Sequence, residues 1–212
     1  MKRTVVKLGG STAFHAEMRE WVFALAAAEM PLVIVPGGGP FADQVRDAQK
    51  QMRFSDRAAH FMAILAMDQM GLAIVEMHDR LVPARSFRDI EEALQRREIP
   101  VWLPSQMCLS ATEMPQSWDL TSDSLAAWLA GKIGAEALLL IKQTNAFDEN
   151  SQILNLVAVG IVDPLLPAML KPGVDFFLAG PAALANARER FAAGEVPGVR
   201  IGAERSLARG AA

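Results

Sequence analysis

Short apolar runs alternate along the chain with longer stretches in which apolar residues recur every three or four positions. "TVVKL" (4–8) precedes an amphipathic stretch over 16–29, and "LVIV" (32–35) precedes another that begins near 41. The spacing then predicts a helix over 56–70 leading into a strand "LAIVEM" (72–77), a helix over 87–96 leading into "VWLP", and a helix over 122–133 leading into "ALLLI". Strands "LVAVGIV" and "DFFLA", a helix over 181–193 and a strand "GVRIG" complete the pattern. Alternation of this kind is what parallel pairing requires, because each crossover must travel back along the sheet. "LVIV" and "ALLLI" are apolar throughout, as strands covered on both faces are. The pattern predicts an α/β fold with a mostly parallel central sheet sandwiched between helices.

With 212 residues, 51% of them apolar, the chain can fill a large core. A net charge of −3 argues against holding nucleic acid by bulk field, and points to a small-molecule partner. No apolar run approaches the length of a membrane span, and "MKRTVVKLGG" enters a strand pattern with no apolar leader, so a cytoplasmic protein is expected. The lone Cys108 reads as a core hydrophobe, and His15, His60 and His78 show no zinc-ligand spacing, so no residue is assigned to a metal. The stretch 104–121, "PSQMCLSATEMPQSWDLT", has little periodicity and forms the one seam in the pattern. An aperiodic loop of that length inside a domain is uncommon unless it has a task.

Two glycine loops carry the candidate chemistry. In "VVKLGGS" a buried strand ends in Gly9 and Gly10, followed by Ser11, with Lys7 beside them. Backbone N–H groups there can approach an anion, and the lysine adds a full positive charge. In "IVPGGGPFADQVR" Gly37, Gly38 and Gly39 follow a second strand and open a helix whose first turn holds Pro40. Two such loops at the carboxyl edge of a sheet suit two anionic groups. Gly37, Gly39 and Ala42 also satisfy G-x-G-x-x-G/A, but the acidic residue about 20 positions on, Asp56, stands at a helix start and not at a strand end. A nicotinamide site therefore lacks its second element. A Walker A loop is excluded because Gly131 and Lys132 are followed by Ile133. A third stretch, "WDLTSDSLAAWLAGKIGAEALLLI", places Thr121 and Ser122 as helix caps and Asp123 in the first turn.

These stretches together resemble the amino acid kinase superfamily, which includes carbamate, acetylglutamate, aspartate, uridylate and isopentenyl phosphate kinases. "VVKLGGS" is similar to its opening loop, "IVPGGG" to its second glycine loop, "TSDSLAAWLA" to its Asp-x-x-A helix, and "LAGPAALANARERFAAGEVPGVRIG" to its closing strand, helix and strand. The short length and "FSDRAAHFMAILAMDQMGLAI" resemble the small kinases of methanofuran biosynthesis, which make a diphosphate from aminomethylfuran-methanol phosphate. The resemblance implies one domain over 1–212, with an acceptor-binding half (about 1–115) and a nucleotide-binding half (about 116–212), using ATP and Mg2+ and forming a homo-oligomer. It implies that Lys7 contacts the transferred phosphoryl group and that Asp123 orients this lysine and its surroundings. Gly9, Gly10, Ser11 and Lys142 fall to the nucleotide phosphates, and Gly37, Gly38 and Gly39 to the acceptor. His60 is the candidate contact to an acidic acceptor, and Arg46, Arg53 and Arg57 are near enough in sequence to add charge, with Arg57 assigned beside His60.

The chain departs from the superfamily in two places. Where relatives carry a second lysine in a "GGM..K" segment, this chain has "GIVDPLLPAMLKPGVDFF", leaving Lys171, Lys142 or no residue at all as the replacement. Where relatives show "TDVDGVY", it has Lys142, Asn145 and Asp148. Three readings follow: a kinase for a phosphomonoester, a kinase for a carboxylate, and a nucleotide or anion sensor that has lost turnover.

Overall fold

The computed structural model describes residues 3–111 and 114–202. Strands β1 (Thr4–Leu8), β2 (Leu32–Pro36), β3 (Leu81–Ala84), β4 (Ile99–Trp102), β5 (Ala137–Ile141), β6 (Asp175–Ala179) and β7 (Val199–Arg200) form one sheet in the order β3-β4-β2-β1-β5-β6-β7. All neighbours are parallel except β6 and β7. The helices are α1 (Glu17–Ala26), α2 (Gly39–Met52), α3 (Asp56–Val75), α4 (Phe87–Gln95), α5 (Ser105–Cys108), α6 (Ser122–Lys132), α7 (Ile153–Ala158), α8 (Leu166–Met169) and α9 (Leu184–Ala192). The sheet is covered on both faces, which is why β1, β2 and β5 are buried at every position. On one face α1, α9 and the later turns of α3 pack on Val6, Leu8, Ile34, Leu139 and Ile141. On the other α4, α6, α7, α8 and the middle turns of α3 pack on Val5, Val33, Val35, Leu138 and Leu140.

Three sequence expectations are corrected. "LAIVEM" is not a strand: α3 runs unbroken to Val75, and burial at Ile64, Met67, Gly71 and Ile74 keeps helical spacing along it. A Cβ on Gly71 would stand 2.5 Å from Leu103 Cδ2, so the missing side chain lets the helix lie close over the end of β4. "LVAVGIV" contains α7 and its stop. Gly160, at φ +72°, lets Ile161 N donate to Leu156 O and Gly160 N to Val157 O, a Schellman ending. The strand that follows α3 is instead β3, "LVPA", whose four residues are too few to show a period. α3 is also, by length and composition alone, apolar enough to cross a membrane, with a mean hydropathy of 1.5, although no such run was expected. It packs here on β2, β3, β4 and α2. Of the aperiodic stretch 104–121, residues 112 and 113 lie outside the described residues; Cys108, Met114 and Leu120 within it are buried.

Strand β1 sits at the centre of the sheet, and the chain leaves it toward β2 on one side and meets it again with β5 on the other. The carboxyl ends of β1, β2 and β5 therefore enclose a topological switch point, the place where open α/β sheets hold ligands.

Candidate active site

Strand register decides where the two lysines point. Lys7 alternates with Val5 on the α6 side of the sheet, opposite Leu140 of β5. Lys142 is two residues past Leu140 and continues the same alternation one position beyond the strand. Its backbone N–H donates to Ala179 O at 2.8 Å, so residue 142 stays tied to the end of β6. From the opposite side α6 presents Asp123, the second residue of its first turn and only 2% exposed. Lys7 Nζ lies 2.8 Å from Asp123 Oδ1, and Lys142 Nζ donates to Asp123 Oδ2. One buried carboxylate thus holds two ammonium groups. Burial alone would raise the Asp123 carboxyl, but the lysine charges outweigh it and keep its pKa below the ordinary value. Burial, with the neighbouring Lys7 charge added, lowers the Lys142 pKa, against the pull of Asp123 and Asp163.

The glycine loops stand directly above this cluster, and they first of all make room for each other. A Cβ on Gly10 would fall 2.3 Å from Gly39 N, and one on Gly37 would fall 2.3 Å from Gly10 N. The loops touch backbone to backbone. This corrects the expectation that phosphate alone explains the glycines. Gly39 adds a left-handed φ of +53° at the start of α2, which other residues rarely adopt. The N–H groups of Gly10, Ser11 and Gly38 have no backbone hydrogen-bond partner among the described residues, so they remain available to an anion.

Lys7, Gly10, Ser11, Gly37, Gly38, Gly39, His60 and Lys142 all line one cleft of about 260 Å³. Asp123 lies beneath its floor, and Gly9 packs against Ile141 O behind it. Arg57 is a correction: it is exposed on the first turn of α3, its guanidinium 5.7 Å from the Phe61 ring, and it does not line the cleft. Arg46 does. About two turns further along α2 from the glycines, it is held 4.6 Å from the Trp118 ring centre and 2.7 Å from Asp43 Oδ1. His60 is buried; desolvation lowers its pKa, opposed by a hydrogen bond to the Ser117 backbone. Apolar walls come from Ile64, Met67, Leu120 and Leu125.

Sequence reasoning missed Trp118, whose Nε1 donates to Gln49 Oε1 at 2.8 Å and fastens the aperiodic loop to α2. A large aromatic in a polar, aperiodic stretch was the available signal. It also missed Asp163, which binds the start of α6; nothing local in "GIVDP" marks that contact. Lys171 lies outside the cleft, its alkyl stem packed on Gly131, near the far end of α6 from Asp123. Among the described residues no group of three or more His, Cys, Asp or Glu side chains is placed to hold a metal ion.

Comparison with known proteins agrees with this fold. Residues 2–152 match the amino acid kinase family. The chain is 27% identical over 183 residues to a [5-(aminomethyl)furan-3-yl]methyl phosphate kinase of Methanocaldococcus jannaschii, covering 79% of this chain and 82% of that protein. It is 27% identical over 186 residues to an acetylglutamate kinase of Synechococcus, covering 68% of this chain and 64% of that one. The crystal structure of a uridylate kinase from Archaeoglobus fulgidus superposes with a TM-score of 0.71 over 95% of this chain and 100% of that one, at 17% identity.

Proposed function

Because the chain belongs to the amino acid kinase family and is a phosphotransferase, we propose that it transfers the terminal phosphoryl group of ATP to a small phosphomonoester, making a diphosphate. The observation that carries this reading is the pair of lysines on one buried carboxylate, facing two glycine loops at the switch point of the sheet. An acceptor phosphate oxygen attacks the terminal phosphorus, the bond to the bridging oxygen breaks, and ADP leaves. Charge spreads over the three equatorial oxygens during transfer, so positioned cations and N–H donors do most of the work.

Lys7 and Lys142 supply those cations, and Asp123 acts through them by fixing both ammonium groups. Gly10, Ser11 and Gly38 offer N–H donors that fit a polyphosphate, with Gly9 shaping the nucleotide loop and Gly37 and Gly39 the acceptor side. Mg2+ belongs with the phosphate oxygens, where such ions commonly keep several waters and few protein ligands. The nucleoside falls to the carboxyl-terminal half, where a cavity of about 320 Å³ lies among Asn145, Phe147, Gly180, Asn186 and Val199. This division gives an acceptor half up to about residue 115 and a nucleotide half after it.

For the acceptor, Arg46 and His60 line the same cleft, and Asp43 is the only carboxylate among its lining residues. Counting Asp123 beneath the floor, the three cations Lys7, Lys142 and Arg46 still outnumber the two carboxylates, which suits a second phosphate better than a neutral group. The name of the Methanocaldococcus relative supports the same class, with aminomethylfuran-methanol phosphate as the specific candidate. The Synechococcus relative supports the carboxylate reading. We place the enzyme in the cytoplasm as a homo-oligomer, with the exposed Met62, Leu65 and Leu72 of α3 as candidate subunit surface.

The test is product detection by mass spectrometry after incubation with ATP, Mg2+ and a panel of phosphomonoesters and acidic amino acids. We expect a diphosphate product that falls at least about 10²-fold in Lys7→Ala. Product from an amino acid alone would replace the acceptor class. Nucleotide binding without product from any acceptor would favour the sensor.

A further inference from the structure

Asp163 lies outside the cleft, in the loop between α7 and α8, where its neighbours Val162 and Leu166 are buried in the α6-side core. Its Oδ2 accepts hydrogen bonds from Thr121 N at 3.0 Å, Ser124 N at 3.1 Å and Ser124 Oγ at 3.0 Å. Thr121 Oγ1 donates to Oδ1 at 2.7 Å. Ser124 is the third residue of α6, so its N–H is one that a side chain in the capping position ordinarily engages. Thr121 occupies that position and makes no such bond; its hydroxyl is turned to Asp163. The cap therefore arrives from a segment 39 residues beyond Ser124. Asp123 stands between the residues so capped, and any rotation or fraying of this turn would carry its carboxylate away from both lysines.

We infer that Asp163 is a positioning residue of the transfer site: by closing the first turn of α6 from outside, it fixes Asp123 and, through Asp123, the ammonium groups of Lys7 and Lys142. The kinetic consequence rests on the kinase reading, whereas the geometric one does not. Lys142 is faced by Lys7 of β1, Asp123 of α6 and Asp163 of the α7–α8 loop. Loss of the Asp163 charge removes one of the two carboxylates that favour the ammonium form.

The test compares Asp163→Asn with wild type in the full-length protein. NMR of ε-¹³C-labelled lysine, with the Lys142 signal assigned from Lys142→Met, follows the amine without any turnover. The Lys142 midpoint is expected to move to lower pH in Asp163→Asn. With the acceptor identified above, kcat is expected to fall by about 10-fold or more while the acceptor KM stays within about threefold, as misplacement of reacting groups predicts. The alkaline limb of the kcat profile should move with the Lys142 midpoint. A folded variant with unchanged Lys142 titration and unchanged kcat overturns the inference. If Asp163→Asn fails to fold, Asp163→Glu is read by the same two measurements. If wild type makes no product from any acceptor, the kinase reading fails, and the Lys142 titration in the charge-conserving Asp163→Glu, shifted if the first turn of α6 is displaced and unchanged if it is not, still decides the positioning role.

Discussion

At the scale of single residues, the site is a problem in charge. Asp123 is buried between two lysines, and removing one partner of a buried ion pair costs about 3–5 kcal/mol because the other charge stays behind unpaired. Lys142 and Lys171 could not be told apart by sequence, since both follow apolar residues and neither keeps the spacing seen in relatives. Strand alternation separates them: Lys142 continues the α6 face of β5, whereas Lys171 covers Gly131. Lys142→Met should lower kcat by at least about 10²-fold and Lys171→Ala should leave it within about twofold, measured as steady-state rates on the same acceptor. His60 gives a stability signature. Its folded pKa is depressed below the ordinary 6.5, so between those two values the unfolded chain binds more protons. Stability should therefore fall as pH is lowered through about 6.5 and level off below the folded value. Urea titrations across that range should show the loss in wild type and its absence in His60→Gln.

At the scale of elements, the sequence was most legible where one period dominated. β1, β2, β5 and β6 were found because they are short and apolar, and α4 because its apolar residues recur at helical spacing; the Ser86–Asp89 capping box that opens it emerged only in the structure. It was least legible where both faces of an element are apolar, as in α3, or where two short elements share one apolar run, as in α7 and its turn. The caps of α6 show a further limit, because Asp163 lies too far along the chain for local pattern to associate it with Thr121. The glycine loops were legible as loops, but their mutual contact was not, since sequence cannot show which backbones meet. That contact predicts that Gly37→Ala, which would set a methyl 2.3 Å from Gly10 N, destabilises by about 1–3 kcal/mol. Thermal melting should register this as a drop of about 2–4 °C for each kcal/mol in a chain of this size. An unchanged melting temperature would mean that the loops separate freely.

At the scale of the whole molecule, fold class came through because strand and helix alternate from end to end, and errors in individual elements left that alternation intact. Topology did not come through, because strand order depends on pairings that no local pattern records. The order found places β1 in the middle, between β2 and β5, with Thr4 opposite Leu32 on one side and Ala137 on the other. During synthesis this placement has a cost. Once β2 has emerged, one edge of β1 can be satisfied, while the other must wait about a hundred residues for β5. At roughly 5–20 residues per second that is an interval of about 5–20 s. Throughout it a nascent chain displays an unpaired edge of "TVVKL", the kind of surface that recruits neighbouring strands or chaperones. The strand that brings Lys7 to the switch point is thus also the strand left longest open to misassembly on the ribosome.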